Sequence, residues 1–325
     1  MFRYVIRRVL FSIPVLLISS VIVFVAIRAN GDFTRTLALN PRADPQAIAE
    51  VRKSLGLDKS GPAQYWAWLT RFVQGDWGQS LLTGESVSKD IRNALWNTIV
   101  LGVTATVFSL LIGIGIGVYS ALRQYSVFDH ISTGAAFLGL SIPNFWFGLM
   151  LQLLFGYYLS KWLGLQDAIL PISGMFTPGT TGFNLTDRIR HLILPMLVLA
   201  VQIIAIYSRY IRASMLEVMH SDYMRTARAK GLSERRVIFR HGMRNALIPL
   251  TTQIALDLGL LAGGLIITEQ IFSWPGMGKF FIEAMANGDY AQVLPWMMVV
   301  VASVIVFNLI ADIVYALLDP RIRYA

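Results

Sequence analysis

Two places in this 325-residue chain hold side chains able to do chemistry. One is the basic run Ser221 to Leu250, SDYMRTARAKGLSERRVIFRHGMRNALIPL, whose cations suit a protein surface or a lipid surface. The other is Asp257, a carboxylate inside an apolar stretch. An ionisable residue at bilayer depth costs about 2.5–3.5 kcal/mol to insert and marks function by default. Three roles are open to Asp257: lining a pathway, accepting hydrogen bonds across a helix interface, or pairing with a partner chain. Nothing else reads as a reaction centre. His130, His191, His220 and His241 lack metal-ligand spacing. The absence of cysteine excludes disulfides, thiolate metal sites and cysteine nucleophiles. Gly276-Met277-Gly278-Lys279 superficially looks like a phosphate loop, but Ser273 stands where its first glycine belongs, and Phe280 replaces the magnesium-binding hydroxyl. The chain is expected to be no enzyme and to hold no cofactor or metal of its own.

The elements that position these residues are membrane helices. The chain is 55% hydrophobic and 14% charged, where a soluble domain carries about a quarter charged residues. Six segments reach the roughly 20 apolar residues of a membrane span: Val9–Ile27, Thr98–Leu122, Ile131–Ser160, Leu192–Ser208, Asn245–Thr268 and Tyr290–Ala311. The expected fold is all-α, polytopic, with six transmembrane helices. The short alternating strands of a β-barrel are missing. The first span is expected to stay as an anchor, its start held in the cytoplasm by Arg3, Arg7 and Arg8.

Topology explains the net charge of +9 without nucleic acid. Fifteen Lys and Arg fall on the side of the N-terminus and four in the two short loops opposite. The long first outside region is exempt from the positive-inside rule. Both termini and the basic run are therefore expected in the cytoplasm, with Ala29 to Asn97 outside.

In that outside region, Asp44-Pro45 reads as the start of a helix that Gly56 ends, and Pro62 as the start of another that Gly75 closes. Tyr65, Trp66, Trp68, Leu69 and Phe72 suit interfacial anchoring and packing on neighbouring helices more than a docking surface. Gly113 and Gly117 have the small-xxx-small spacing that lets helix backbones approach. Pro143 interrupts the third span, and Lys161–Arg190 reads as an irregular connection.

The helical pattern of the fourth span continues beyond Ser208 as SRYIRASMLEVM. Ser221 or Asp222 can cap a short helix to Lys230, Gly231 fits the left-handed position past its end, and Arg228 and Lys230 complement its dipole. Ser233 can cap a second short helix, with Val237, Ile238 and Phe239 among arginines. Two such helices cannot bury their own apolar faces, so a partner surface is expected.

The run Tyr223-Met224-Arg225-Thr226-Ala227-Arg228-Ala229-Lys230-Gly231-Leu232, followed by Arg244-Asn245-Ala246-Leu247-Ile248-Pro249, closely resembles the coupling loop of binding-protein-dependent ABC-importer permeases. More narrowly it is similar to the dipeptide/oligopeptide/nickel branch. Arg225-Thr226-Ala227 replaces the wider family's Glu-Ala-Ala, and the gap from Gly231 to Pro249 is longer, as expected of the peptide branch. Tyr4 to Arg8, Leu55 to Asp58, Gly75 to Ser80, Ile271 to Gly278 and Leu317 to Tyr324 resemble the same branch.

The resemblance implies a type I ABC-importer permease fold. Residues 1–97 would form the first span and outer helical region, and 98–325 the core of five spans, with coupling helices at about 214–244. It implies a second homologous permease subunit, two ATPase subunits that bind the ATP and magnesium, an extracytoplasmic substrate-binding protein, surrounding membrane lipid, and di- or oligopeptides as substrate. Asp222, Tyr223, Arg225, Thr226, Ala227, Arg228, Ala229, Lys230, Gly231 and Leu232 would meet an ATPase, and Asp257 is the candidate for the pathway. The competing class is a secondary transporter or channel. The internal duplication and ion-coupling charges usual in secondary transporters are missing.

Overall fold

Runs of apolar residues broken by glycine and proline give helices whose ends follow those breaks. A computed structural model describes residues 2–29, 59–180, 182–261 and 263–318. The helix expected from Asp44 to Gly56, the stretch Leu55–Asp58 and the chain end at 319–325 lie outside the described residues. The helices are α1 (Phe2–Ala29), α2 (Gly61–Val73), α3 (Val87–Leu122), α4 (Val127–Ser141), α5 (Asn144–Trp162), α6 (Leu185–Met219), α7 (Asp222–Ala229), α8 (Ile248–Leu261), α9 (Ile266–Ile271), α10 (Met277–Ala286) and α11 (Tyr290–Leu318). No β-strand occurs among the described residues.

Among the described residues four helices are long and apolar enough to cross a membrane: α1, α3, α6 and α11. Two expected spans are not single straight helices. The third is α4 plus α5, bent by 98°. Pro143 has no amide to donate and pushes Ile142 into an extended conformation with ψ of 122°. The fifth, expected over Asn245–Thr268, divides where α8 ends at Leu261 and α9 begins at Ile266. Gly264 between them has φ of +86°, and a Cβ there would overlap the Gly278 amide nitrogen. Only glycine tolerates both the conformation and the approach.

The chain forms two compact units. One comprises 1–98, 262–266 and 275–306; the other 99–261, 267–274 and 307–325. In the first, Phe24 and Ile27 of α1 are buried with Ala284, Val293 and Leu294. Tyr65 and Trp68 of α2 pack on this cluster, and the Tyr65 hydroxyl meets Ser20 Oγ at 2.7 Å. The aromatic residues of α2 thus serve packing, with Trp66 exposed. Pro62 stands in the first turn of α2, and Gly75 past its end has φ of +88°. A second cluster joins Val87, Ile91 and Ala94 to Met277 and Trp296. Met277, the centre of the loop that looked phosphate-like, is buried and its amide donates to Thr98 Oγ1 at 2.8 Å. Asp289, 2% exposed, fastens the Gly78–Ser86 loop: Ser80 Oγ and the Leu81 amide donate to its Oδ2 at 2.6 and 3.1 Å.

In the second unit α6 is the central helix. Gly113 and Gly117 form the seam between α3 and α6, as their spacing predicts. A Cβ at Gly117 would lie 2.6 Å from the Ser208 carbonyl oxygen, and one at Gly113 3.0 Å from Tyr207 Cβ. Beside this seam Val118, Ala121, Tyr207, Ile211, Met215, Ala246 and Leu250 form one buried cluster. Gly139 of α4 lies against Val201 of α6. Gln152 ties down the irregular connection after α5, donating to the carbonyls of Ile172 and Ile271 at 2.7 and 2.9 Å.

Candidate functional site

The basic segment is carried on a rod. Helix α6 runs without a break from Leu185 to Met219, 35 residues, or about 50 Å at 1.5 Å per residue. The chain turns at His220–Ser221, forms α7, and reverses at Gly231, whose φ of +76° is the left-handed conformation expected there. A helical turn Glu234–Arg236, a π-helical stretch Val237–Gly242 and a turn Met243–Ala246 lead into α8.

The capping differs from expectation. Ser221 and Ser233 both occupy N-cap positions with extended backbone, but neither side chain caps. Ser221 Oγ instead donates backward to the Val218 carbonyl, a bond that joins the end of α6 to the start of α7. The second short helix is not regular either, because its apolar residues fall in the π-helical stretch. Arg228 does more than face a helix dipole. Its guanidinium reaches across Gly231 and donates to Glu234, Nη2 to Oε1 at 3.0 Å and Nε to both oxygens at 3.2 Å. The two arms of the turn are clamped at their base.

The apolar faces of the segment are partly buried within the chain, against the sequence expectation. Met224, Ala227 and Val237 form a cluster with Val218, Met219 and Leu232 around them. Gly242 is buried beside this cluster, where an added Cβ would lie 3.2 Å from Met224 Cε. The i, i+3 spacing of Met224 and Ala227 puts both on the inner face of α7. Asp222, Tyr223, Arg225, Thr226, Ala229 and Lys230 are exposed, Arg228 and Leu232 half-buried, and Gly231 open. Tyr223, Thr226 and Lys230 form an outward stripe. The knob is preshaped, with its own small core and a free outer face.

Asp257 lies in α8, away from this knob in sequence and in the same unit. Tyr207 Oη donates to its Oδ2 at 2.8 Å, and Gln253 Nε2 donates to its Oδ1 at 2.8 Å. Tyr207 is fully buried in α6. The carboxylate therefore has a donor on each oxygen, one across the α6–α8 contact and one a helical turn earlier in α8.

A further ionic contact was legible only in part. Asp129, 2% exposed, receives Arg212 Nε and Nη2 at 2.6 and 2.7 Å, a two-point pair between α4 and α6. The Tyr125 amide adds a third donor at 3.0 Å, with Tyr125 at φ of +61°. Ser126-x-x-Asp129 is a capping pattern readable from sequence, and Ser126 Oγ does accept from the Asp129 amide. The choice of Arg212 as partner, 83 residues on, left no local signal.

These features define a class: an all-α polytopic membrane protein with a shaped basic knob on the extension of a membrane helix. Residues 113–324 match the family described as the binding-protein-dependent transport system inner membrane component. Residues 1–107 match the N-terminal family of the same membrane components. The chain belongs to this family, and is an integral inner-membrane permease subunit of an ABC importer. It is 43% identical over 325 residues to the oligopeptide transport system permease protein AppB of Bacillus subtilis (strain 168), covering 100% of both chains. It is 38% identical over 334 residues to the dipeptide transport system permease protein DppB of Alkalihalophilus pseudofirmus, again covering 100% of both. The glutathione transport system permease protein GsiC of Salmonella typhimurium is 36% identical over 325 residues, 100% of each.

Proposed function

We propose that this permease forms half of the translocation pathway of an ATP-driven importer of di- or oligopeptides, paired with a second, homologous permease. Full-length similarity to permeases named for oligopeptide and dipeptide transport supports the substrate class. The observation that carries the coupling assignment is the knob itself, a clamped turn packed on and hydrogen-bonded to the end of a membrane helix.

The geometry suits transmission. A force applied to α7 passes into α6 through the Met224–Ala227–Val237 core and the Ser221–Val218 bond. The Arg228–Glu234 clamp keeps the turn at Gly231 from absorbing the displacement. The outer stripe of α7, with Asp222, Arg225, Ala229 and the Gly231–Leu232 turn beside it, fits a groove on a cytoplasmic ATPase. Two such ATPases hold the ATP and magnesium, and an extracytoplasmic binding protein delivers the peptide. Residues 1–97 serve as the first span and outer region, and 98–325 as the coupling core, with both termini in the cytoplasm. Asp257 acts by holding α6 to α8 through Tyr207 rather than by meeting substrate.

The test is a gentle pull-down of tagged chain from native membranes, with mass identification of what accompanies it and peptide uptake in proteoliposomes with and without ATP. A second polytopic permease and one or two ATPases should be recovered, with uptake strictly ATP-dependent. A chain that purifies alone and moves peptide without ATP would overturn the proposal in favour of a secondary transporter.

A further inference from the structure

An open cleft of about 590 Å³ lies between α4 and α6, lined by Thr133, Phe137, Ile206, Arg209, Tyr210, Arg212 and Ala213. Its chemistry is one-sided. The polar side chains on its wall are two guanidiniums, a phenol and a threonine hydroxyl, all able to donate, and no carboxylate lines it. Asp129, the neighbouring acid, is committed to Arg212 through Nε and Nη2. Arg212 keeps Nη1 outside that pair, and its side chain remains 28% exposed. Arg209 has no acidic partner among the described residues. Its guanidinium lies over the Phe137 ring, 4.7 Å from the centroid, and the ring fixes the plane of its donors. The cleft therefore carries one uncompensated positive charge among donors held in place.

Its position in the chain indicates what anion reaches it. The apolar run of α6 ends at Ser208, so Arg209 and Tyr210 are the first residues past the hydrocarbon stretch. An exposed Tyr beside an Arg is what the membrane–water boundary selects. The apolar lining residues Phe137 and Ile206 suit the first methylenes below a headgroup. Basic pockets between transmembrane helices on the cytoplasmic side hold lipid phosphates.

We propose that this cleft binds the phosphate of an anionic phospholipid, with Arg209 as the main cation, Phe137 as its platform, and Arg212, Tyr210 and Thr133 as supporting donors. On the positive-inside topology the lipid belongs to the inner leaflet. Occupancy would also brace α4 against α6, the helix that bears the knob, so one bound lipid would stiffen the base of the lever. Failure of this site leaves the importer assignment standing, because nothing in that assignment depends on it.

The test uses the whole transporter as purified with its partners, stripped of lipid and titrated with phosphatidylglycerol or phosphatidylcholine, with adducts counted by native mass spectrometry. The intact protein should retain phosphatidylglycerol in clear preference to phosphatidylcholine. Arg209→Gln should lower phosphatidylglycerol affinity about fivefold, the effect of one interfacial cation, and Arg209→Lys should lower it less. Arg188→Gln, an arginine stacked on Phe176 and Phe183 away from the cleft, is the control and should change nothing. Should Arg209→Gln not assemble, Phe137→Leu removes the platform, keeps the charge, and should weaken phosphatidylglycerol binding by itself. Equal binding of the two lipids, or undiminished phosphatidylglycerol binding in the Arg209 and Phe137 variants, overturns the proposal. A variant with normal lipid binding but a raised peptide requirement for uptake would assign the cleft to substrate instead.

Discussion

Alanine should act in opposite directions at two glycines one turn-half apart in α3. At Gly117 a Cβ would lie 2.6 Å from the Ser208 carbonyl oxygen and 2.8 Å from Ile211 Cβ. The first of these contacts is backbone, so no rotamer change relieves it. Helices α3 and α6 must separate by roughly 0.5–1 Å, which loses a quarter to a half of the dispersion energy along the seam. Overpacking of this kind costs about 1–3 kcal/mol. At Gly115 a Cβ meets nothing within 4 Å, and replacing glycine by alanine inside a helix stabilises by up to about 1 kcal/mol. The two variants should thus differ by about 1–4 kcal/mol despite identical chemistry. The assay is the temperature at which half of the solubilised full chain leaves the monodisperse size-exclusion peak, at one heating protocol because unfolding is irreversible. Gly117→Ala should fall several degrees below wild type, and Gly115→Ala should equal or exceed it. Equal midpoints for the two variants would refute the close seam between α3 and α6.

Arg228→Glu sets its carboxylate against that of Glu234 across Gly231 and should open the clamp by about 0.5–2 kcal/mol, the lost attraction plus a repulsion of similar size between two partly exposed groups. Uptake should fall and ATP hydrolysis should lose its dependence on loaded binding protein, while the double swap Arg228→Glu/Glu234→Arg restores both; an inert single variant would remove the clamp from the mechanism. Asp257→Asn keeps an acceptor for Tyr207 and should assemble and transport near normally, whereas Asp257→Leu strands a buried hydroxyl at about 1–3 kcal/mol and should lower thermal stability. Normal stability of Asp257→Leu with abolished uptake would instead place Asp257 on the pathway. Asp129→Ala should destabilise by about 2–3 kcal/mol, below the range for a fully buried pair because Arg212 is 28% exposed, as read from detergent-solubilised melting; a change under about 0.5 kcal/mol would mean the pair contributes no net stability.

Features that depend on backbone alone were readable from the residues. Gly231 needed a positive φ, Gly113 and Gly117 needed a neighbouring backbone, and the run after Ser208 continued a helix without a breaker. Each follows from a local pattern and one steric rule. Partner choice was not readable. Ser221 at a cap position had two carbonyl or amide options within reach, and packing of α7 against α6 decided for Val218. Arg228 could serve a dipole or an anion, and only the reversal at Gly231 brings Glu234 to it. Asp129 and Arg212 meet because α4 folds back on α6, which no spacing encodes. The fifth span looked continuous because Gly263-Gly264 sits in an apolar run, and hydropathy does not register a turn made without polar residues.

The π-helical stretch Val237–Gly242 has a meaning for chain length. A π turn accommodates one residue more than the α-helix it interrupts, while the helix on either side keeps its phase. Val237 at the start of the stretch and Ala246 and Leu250 after it are all buried, so their phase is what packing enforces. Loss of one exposed residue here, such as Phe239, would let the stretch relax to α-helix with those three still facing inward. The same deletion in α7 would rotate every later side chain by about 100° and turn Met224 or Ala227 out of the core. Insertions and deletions among related chains should therefore collect at 237–242 and spare 222–231.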